Sequence, residues 1–222
     1  MSVDKIIRSG RRSISIEVTK EGSVVLRAPF NASERQIKEV IAKYAGWIQK
    51  KKIHLEECRG NVVPKQYIDG EKFLFLGKLY ELKIEDEPGF SFRFDGSSFI
   101  VDSGKLIYSR QLFEAFYSNS ARNIIPPRVY EFAKIIGVDF NGVRITSADT
   151  RWGSCSGRRN LNFSWKLIMA PSKVVDYVIV HEIAHLFEMN HSKKFWDIVA
   201  RLYPSYEESR DWLKTNSHTM IY

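Results

Sequence analysis

The sequence has 222 residues, with 34 Lys and Arg against 26 Asp and Glu, so its formal net charge is +8. Its 14 Phe, 10 Tyr and 5 Trp supply enough core-forming residues to exclude a disordered, collagen-like or low-complexity chain. The 2 cysteines are too few for a disulfide scaffold, and no apolar run matches a signal peptide or a membrane helix, so we expect a cytoplasmic protein without a membrane span.

The first elements expected along the chain are a β-hairpin and a helix. Apolar and polar residues alternate over residues 13–18 and 23–27, which is typical of paired strands. Residues 31–34 offer helix N-caps, and the apolar residues after them recur at helical spacing: Ile37, Val40, Ile41, Tyr44, Trp47 and Ile48. We expect this helix to end at the lysines of residues 50–52, because cations are favourable at a helix C-terminus.

A meandering sheet and further helices are expected next. Short β-type runs separated by glycine-containing turns predict four strands, at residues 72–76, 79–84, 90–94 and 99–101. Residues 106–136 follow a helical pattern, but Pro126 and Pro127 lie within it. Because proline interrupts helical hydrogen bonding, we expect two helices here.

The last third of the chain begins with a strand at residues 143–145 and a polar loop at residues 149–157. Residues 160–169 then alternate with a period of two, which predicts a strand with its apolar side chains on one face: Leu161, Phe163, Trp165, Leu167 and Met169. Helices are expected at residues 173–190, 193–203 and 205–214.

The helix expected at residues 173–190 carries the motif His181-Glu182-Ile183-Ala184-His185. Residues four apart lie about 40° apart around a helix, so both imidazoles can face one metal ion. Apolar residues cover most of the remaining helix surface, so these polar groups need partners, which a metal and its water supply. Glu182 borders the same site without being a ligand, as the general base of a zinc hydrolase must.

His191 is the candidate third ligand. It follows Asn190, a residue that tolerates the left-handed conformation in which many helices end, so the chain can reverse and return His191 to the site. Three protein ligands and an open fourth position are typical of catalytic rather than structural zinc. Alternatively, His191 only precedes Ser192, the N-cap of the next helix.

Together these residues resemble the YgjP-like metallopeptidase family, which is similar to the SprT-like and minimal gluzincin-type zinc peptidases. The resemblance is specific over about residues 140–200 and rests on the following stretches: Arg151-Trp152-Gly153-Ser154-Cys155-Ser156, Asn160-Leu161-Asn162-Phe163, the histidine motif with Leu186, Asn190-His191-Ser192, and Phe195-Trp196. It implies an α+β fold with a zincin-like catalytic core, in which the zinc-binding helix lies beside an antiparallel or mixed sheet. We expect a β-rich N-terminal section with one helix at residues 1–104 and the core at residues 105–222.

The resemblance also implies a zinc-dependent peptidase that binds one Zn²⁺ per chain through His181, His185 and His191. Its substrate would be a peptide or an unfolded protein, and Glu182 would be the general base that activates the zinc-bound water.

Such a core has a strand at the edge of the cleft, and the strand at residues 160–169 is the natural candidate. Asn160 and Asn162 are then candidate substrate-binding residues, because an extended peptide can pair with an edge strand. Arg151 and Tyr203 are candidate donors to the reacting carbonyl, although the loop around Arg151 can equally be a turn that packs Trp152. Cys155 is either a fourth, inhibitory zinc ligand or a small buried cysteine.

Two alternative functions are compatible with these residues. The same zinc site can hydrolyse an amide in a substrate other than a peptide. The protein can instead be a DNA-associated protease, or a nucleic-acid-binding protein whose zinc is structural. The net charge permits a nucleic-acid partner without requiring one, because the basic residues are spread along the chain. We expect the peptidase, because three histidines leave an open metal position.

Overall fold

The structure, a computed structural model, describes residues 3–19, 22–61, 64–86 and 89–220. For residues 54–61 it describes the backbone but not the side chains. The chain forms two compact units, Met1–Val63 and Pro64–Tyr222. The boundary expected after residue 104 therefore lies inside the second unit. Within the described residues, no helix combines the length and apolar character that a membrane span needs.

The N-terminal unit is a three-stranded sheet with one long helix. Its strands are β1 (Lys5–Ser9), β2 (Ser15–Val18) and β3 (Val24–Pro29), in the order β1-β3-β2, with β1 parallel and β2 antiparallel to β3. The predicted hairpin is confirmed as β2 and β3, whereas β1 was not expected. Residues 20 and 21 of its turn lie outside the described residues.

Helix α1 (Glu34–Asn61) begins with a reciprocal cap and is longer than expected. The Gln36 N–H donates to the Ser33 hydroxyl oxygen at 3.2 Å, and the Ser33 N–H donates to the Gln36 side-chain oxygen at 2.9 Å. Ile37 is buried with Leu26 and Ala28 of β3, which anchors the helix to the sheet. The predicted end at residues 50–52 is wrong, because lysines are good helix formers as well as favourable C-terminal residues.

The second unit begins with a four-stranded sheet, β4 (Lys72–Phe75), β5 (Lys78–Glu85), β6 (Phe92–Phe94) and β7 (Ser98–Asp102), in the order β4-β5-β7-β6. These are the four strands predicted, with small differences at their ends. Their aromatic side chains pack against the next helix, where the rings of Phe73 and Phe113 stack with centroids 4.0 Å apart. The Tyr117 hydroxyl donates to the Leu74 carbonyl at 2.9 Å. This shared core explains why the sheet belongs to the second unit.

Helix α2 (Ser109–Ile136) follows a 3₁₀ turn at Ser103–Tyr108 and continues through both prolines. The predicted break at Pro126 and Pro127 is wrong. A stripe of buried residues at intervals of four crosses the prolines: Phe113, Tyr117, Ala121, Ile125, Val129 and Ala133. Packing of this stripe holds the helix together where the backbone hydrogen bonds are missing. Gly137, with φ of 74°, ends it in the left-handed conformation.

The second unit contains another sheet, which has three strands: β8 (Gly142–Thr146), β9 (Gly153–Cys155) and β10 (Asn160–Ser164), in the order β8-β10-β9. β10 is parallel to β8 and antiparallel to β9, so the sheet is mixed. The strand predicted at residues 160–169 ends at Ser164, and Trp165–Met169 form a 3₁₀ turn. Ile168 is buried as well as Leu167 and Met169, and burial of consecutive side chains does not fit a half-exposed strand.

Three helices complete the unit: α3 (Ser172–Ala184), α4 (Lys193–Leu202) and α5 (Tyr206–Asn216). α4 and α5 were predicted closely. α3 ends six residues before its expected end at residue 190, and residues 185–191 form a turn. Arg128 of α2 makes a bidentate ion pair with Asp176 of α3, which joins the two helices. The protein therefore has the α+β architecture that the sequence predicts.

Candidate metal centre

The last turn of α3 and the turn after it bring three imidazoles together. His181 and His185 are four residues apart, so they lie on the same side of the helix, with ring centroids 5.1 Å apart. The chain reverses after α3, and His191 returns to within 5.0 Å of the ring of His181 and 4.7 Å of the ring of His185. One nitrogen from each ring lies within 4.8 Å of the other two. The chain reverses as predicted, but it does so over residues 185–191 and without a left-handed Asn190. Ser192 also caps α4 by accepting the Phe195 N–H at 3.4 Å.

The chemistry of this cluster fits a transition-metal ion. The Nε2 atoms of His181 and His191 face each other at 3.0 Å. His185 Nδ1 lies 3.1 Å from the Glu188 carbonyl oxygen, a hydrogen bond that leaves Nε2 of that ring for a metal. Neutral imidazoles are the ligands that zinc, copper, iron and nickel accept from histidine. Three converging ring nitrogens therefore make a suitable donor set.

Burial keeps His181 and His185 in the neutral form that a metal requires. Burial first, and then the charges of His185 and His191, lower the pKa of His181 to about 3. Burial also lowers the pKa of His185. His181 Nδ1 is buried and has no hydrogen-bond partner among the described residues. A ring in this environment does not need to lose a proton before it binds a metal near neutral pH.

Aromatic side chains of α4 enclose the cluster on one side. The Phe195 ring lies 4.9, 4.5 and 4.8 Å from the rings of His181, His185 and His191. Trp196 lies 5.9 Å from His191 and is stacked on it. Such apolar neighbours reduce the freedom of the imidazoles and exclude water from them. The sequence placed Phe195 and Trp196 in a helix after the site, but it did not show that this helix folds back over the histidines.

Glu182 lies on the side of α3 that faces β9 of the mixed sheet β8-β10-β9. Its side chain is only 5% exposed, and burial raises its pKa to about 8. The charge of Arg151 and a hydrogen bond from the Cys155 N–H both oppose this increase. A carboxyl group with such a pKa can accept and release a proton near neutral pH, which is what a general acid and base must do.

Gly153 makes the close approach of β9 to Glu182 feasible. A Cβ atom at this position would lie 2.6 Å from both Cγ and Oε1 of Glu182, far inside ordinary contact distance. Any other residue here would therefore collide with the carboxylate or its stem. Sequence reasoning missed this role, and its only signal was a glycine between Trp152 and Ser154, in a stretch read as a polar loop.

The strand at the sheet edge is β9 rather than β10. β10 pairs on both sides, with β8 and with β9, so the expectation that residues 160–169 form the edge of the cleft is wrong. Asn162 donates from its side-chain nitrogen to the Ser154 hydroxyl at 3.2 Å, which ties the central strand to the edge strand. The roles of Asn160 and Asn162 in substrate binding stay predictions.

The remaining candidates lie in different places. Arg151 precedes β9, and its charge acts on Glu182, so it belongs to this site. The Tyr203 hydroxyl donates to the Lys173 carbonyl at 2.8 Å. Lys173 is in the first turn of α3, eight residues and about 12 Å along the helix from His181. The structure therefore does not bring the Tyr203 hydroxyl to the histidines.

Cys155 is a half-buried free thiol on β9. Burial, and then the charge of Glu182, raise the pKa of this thiol. It is not part of the group of metal-ligating atoms found in the described chain, which consists of the three histidines. This placement favours a small packed cysteine over a fourth ligand.

Comparison with known proteins assigns the chain to a family. A family model described as "YgjP-like, metallopeptidase domain" matches residues 12–216. The crystal structure of the metallopeptidase zymogen of Pyrococcus abyssi abylysin is similar over 41% of this chain and 93% of that chain, with 21% sequence identity and a TM-score of 0.38. No curated protein sequence matches the chain. Since the family model spans both units and includes all three histidines, the chain belongs to the YgjP-like metallopeptidase domain family.

Proposed function

We propose that the protein is a zinc-dependent peptidase that hydrolyses peptide bonds in peptides or unfolded proteins. The observation that carries this proposal is the convergence of three imidazoles beside Glu182, a buried carboxyl group of α3. Membership of a metallopeptidase family supports both the metal and the class of substrate. The mixed sheet beside α3 is compatible with a zincin-like core.

His181, His185 and His191 would hold one zinc ion. When bound, zinc supplies a Lewis acid that polarises the scissile carbonyl and lowers the pKa of water toward neutrality. Three imidazoles are one ligand fewer than structural zinc sites contain, which favours catalysis over a structural role. That difference also disfavours the alternative of a nucleic-acid-binding protein with a structural zinc.

Glu182 would act as the proton carrier of the reaction. Its carboxylate accepts a proton from the attacking water, whose oxygen then forms the new bond to the peptide carbon. The same proton passes from Glu182 to the amine nitrogen as the carbon–nitrogen bond breaks. Gly153 and the Cys155 N–H hold the carboxylate in position for both transfers. Arg151, whose charge reaches Glu182, is the candidate group for stabilising the negative charge on the carbonyl oxygen.

The substrate would bind as an extended strand along β9. This strand is at the sheet edge and lies directly beside Glu182, so an added strand would carry its peptide bonds past the carboxylate. Backbone pairing is independent of side-chain identity, which suits an enzyme that acts on unfolded chains.

The test is metal content and cleavage measured on the same preparations. Wild-type protein and Glu182→Gln should each bind about one zinc per chain, and His181→Ala should bind none. Of these three proteins, only the wild type should cleave a reduced and carboxymethylated protein substrate. His218→Ala is the matched control, because His218 lies in the 3₁₀ turn Ser217–Met220 and is outside the histidine cluster. Zinc retained by His181→Ala, or cleavage by Glu182→Gln at the wild-type rate, would contradict the proposal.

A further inference from the structure

The N-terminal unit has a groove of about 300 Å³ between β2 and α1. We call it the α1–β2 groove, and its lining residues are Ile14, Ser15, Ile16, Val40, Tyr44 and Trp47. All of them belong to the unit Met1–Val63, so the groove is separate from the histidine cluster. The helix residues of this set are among those whose spacing predicted α1.

The helix side of the groove is an exposed aromatic surface. Val40, Tyr44 and Trp47 follow the i, i+4, i+7 spacing and so form one stripe along α1. The neighbouring stripe, which contains Ile37 and Ile48, is buried. Tyr44 and Trp47 remain 44% and 47% exposed. Trp and Tyr are the residues that most often dominate the binding energy of protein interfaces.

Exposed lysines flank the aromatic stripe of the groove. Lys43, Lys50 and Lys51 lie one helical turn before or after Trp47, and all three are exposed. Lys43 also lies over the Tyr44 ring, with its ammonium nitrogen 5.6 Å from the ring centroid. None of the three lysines pairs with a carboxylate of the described residues. Residues 1–63 contain 13 Lys and Arg and 7 Asp and Glu, a net charge of +6 out of the total of +8.

The strand side of the groove offers a backbone edge. β2 pairs only with β3, so its other edge is unpaired within the described sheet. An extended chain added to this edge would direct alternate side chains to the face on which Ile14 and Ile16 meet α1. Bulky apolar side chains on that face would then contact Tyr44 and Trp47, and acidic side chains at other positions on the same face would meet the lysines.

We propose that the α1–β2 groove is a docking site for an extended, acidic segment of the protein substrate that carries bulky apolar side chains. The assignment of that segment to the substrate rests on the proposed peptidase function. Docking at this groove would raise the local concentration of the attached chain at the histidine centre, without any change to the catalytic groups.

The direct test is binding to full-length Glu182→Gln protein, which cannot consume the probe. The probe is a fluorescein-labelled ten-residue peptide in which every second residue is alternately Phe or Leu and Glu or Asp, with Ser between them, so that both kinds of side chain share one face. Its affinity is measured by fluorescence anisotropy. We expect Trp47→Ala to weaken binding at least about 10-fold. Lys50→Glu combined with Lys51→Glu changes only exposed residues and should weaken binding similarly. Phe30→Ala is the control, because Phe30 is 71% exposed in the same unit but does not line the groove.

The comparison probes are a peptide with Lys in place of each acidic residue and an oligothymidylate. Equal binding of the Lys peptide, or unchanged affinity in both groove variants, would overturn the proposal. Competition by the oligothymidylate that is stronger than by unlabelled acidic peptide would overturn it in favour of a nucleic-acid surface.

A second readout uses the wild-type catalytic background. Trp47→Ala should cleave a short peptide at the wild-type rate and lose activity only toward the same peptide fused to the acidic segment. Binding is measured without cleavage, so an inactive wild type would refute the peptidase proposal alone. Equal affinity for the acidic peptide with an intact groove and with the groove variants would refute the docking proposal alone.

Discussion

Replacement of Gly153 by alanine tests whether the contact between β9 and Glu182 positions the catalytic carboxylate. The added Cβ would lie 2.6 Å from Cγ and Oε1 of Glu182, and ordinary van der Waals contact begins at 3.4 Å. The difference is 0.8 Å, so the carboxylate or the strand must move by about that distance. The Glu182 side chain is buried, so it has little free space into which to move.

A displacement of this size is enough to impair proton transfer. Misplacement of a catalytic group by about 1 Å can cost about 100-fold in rate. We therefore expect kcat/KM of Gly153→Ala to fall about 100-fold, which corresponds to about 2.7 kcal/mol of lost transition-state stabilisation. Zinc content should not change, because none of the three histidines lies on β9.

The assay is steady-state cleavage of a fluorogenic peptide, with zinc measured in the same samples. Gly157→Ala is the matched control, because a Cβ at Gly157 has no atom within 4 Å. It should keep both zinc and activity. Wild-type kcat/KM in Gly153→Ala would refute the view that this contact positions Glu182. Loss of zinc from that variant would show instead that the contact maintains the whole site.

Three further predictions concern stability. Arg128→Met leaves Asp176 buried without its partner and should lower the free energy of unfolding by about 2 kcal/mol in urea, less than a fully buried pair because Arg128 is 38% exposed. Adding Asp176→Leu should restore part of the loss, and a further loss would contradict this account. Hydrogen bonds from Ser97 and Ser98 lower the pKa of Asp95 to about 2 from 3.8, so its contribution to stability is complete well above pH 3.8 and is lost as the pH falls through 2. An NMR titration should give a midpoint near 2, and a midpoint near 3.8 would contradict it. Free zinc at 100 times its Kd should raise the free energy of unfolding by about 2.7 kcal/mol in the wild type and leave His181→Ala unchanged, whereas equal stabilisation of both would place the zinc elsewhere.

Helical spacing predicted the centre of the site because its key residues are local in sequence. His181 and His185 belong to one turn of helix, and the regular 3.6-residue period alone brings their rings together. His191 required only a chain reversal between the end of α3 and residue 191. The α+β architecture and the order of the later helices also followed from such local patterns.

The errors arose where packing of distant segments decides the structure. Pro126 and Pro127 stay within α2 because a buried stripe on both sides of them fixes the helix. The apolar alternation through Met169 continued past the end of β10, since a 3₁₀ turn can bury the same residues. The strand order of this sheet could not be predicted either, because no local signal in the sequence shows that the short β9 lies at the edge.

The two prolines of α2 also divide that helix into two parts for local unfolding. Neither proline has an N–H, so the carbonyls of Arg122 and Asn123 have no helical donor four residues later. The part of α2 before the prolines packs through Phe113 against the four-stranded sheet β4-β5-β7-β6. The part after them is tied to α3 by Arg128. Each part can therefore open without the other, and amide hydrogen exchange should show two protected blocks with separate opening free energies. The block joined to α3 is the one whose protection should respond to events at the histidines.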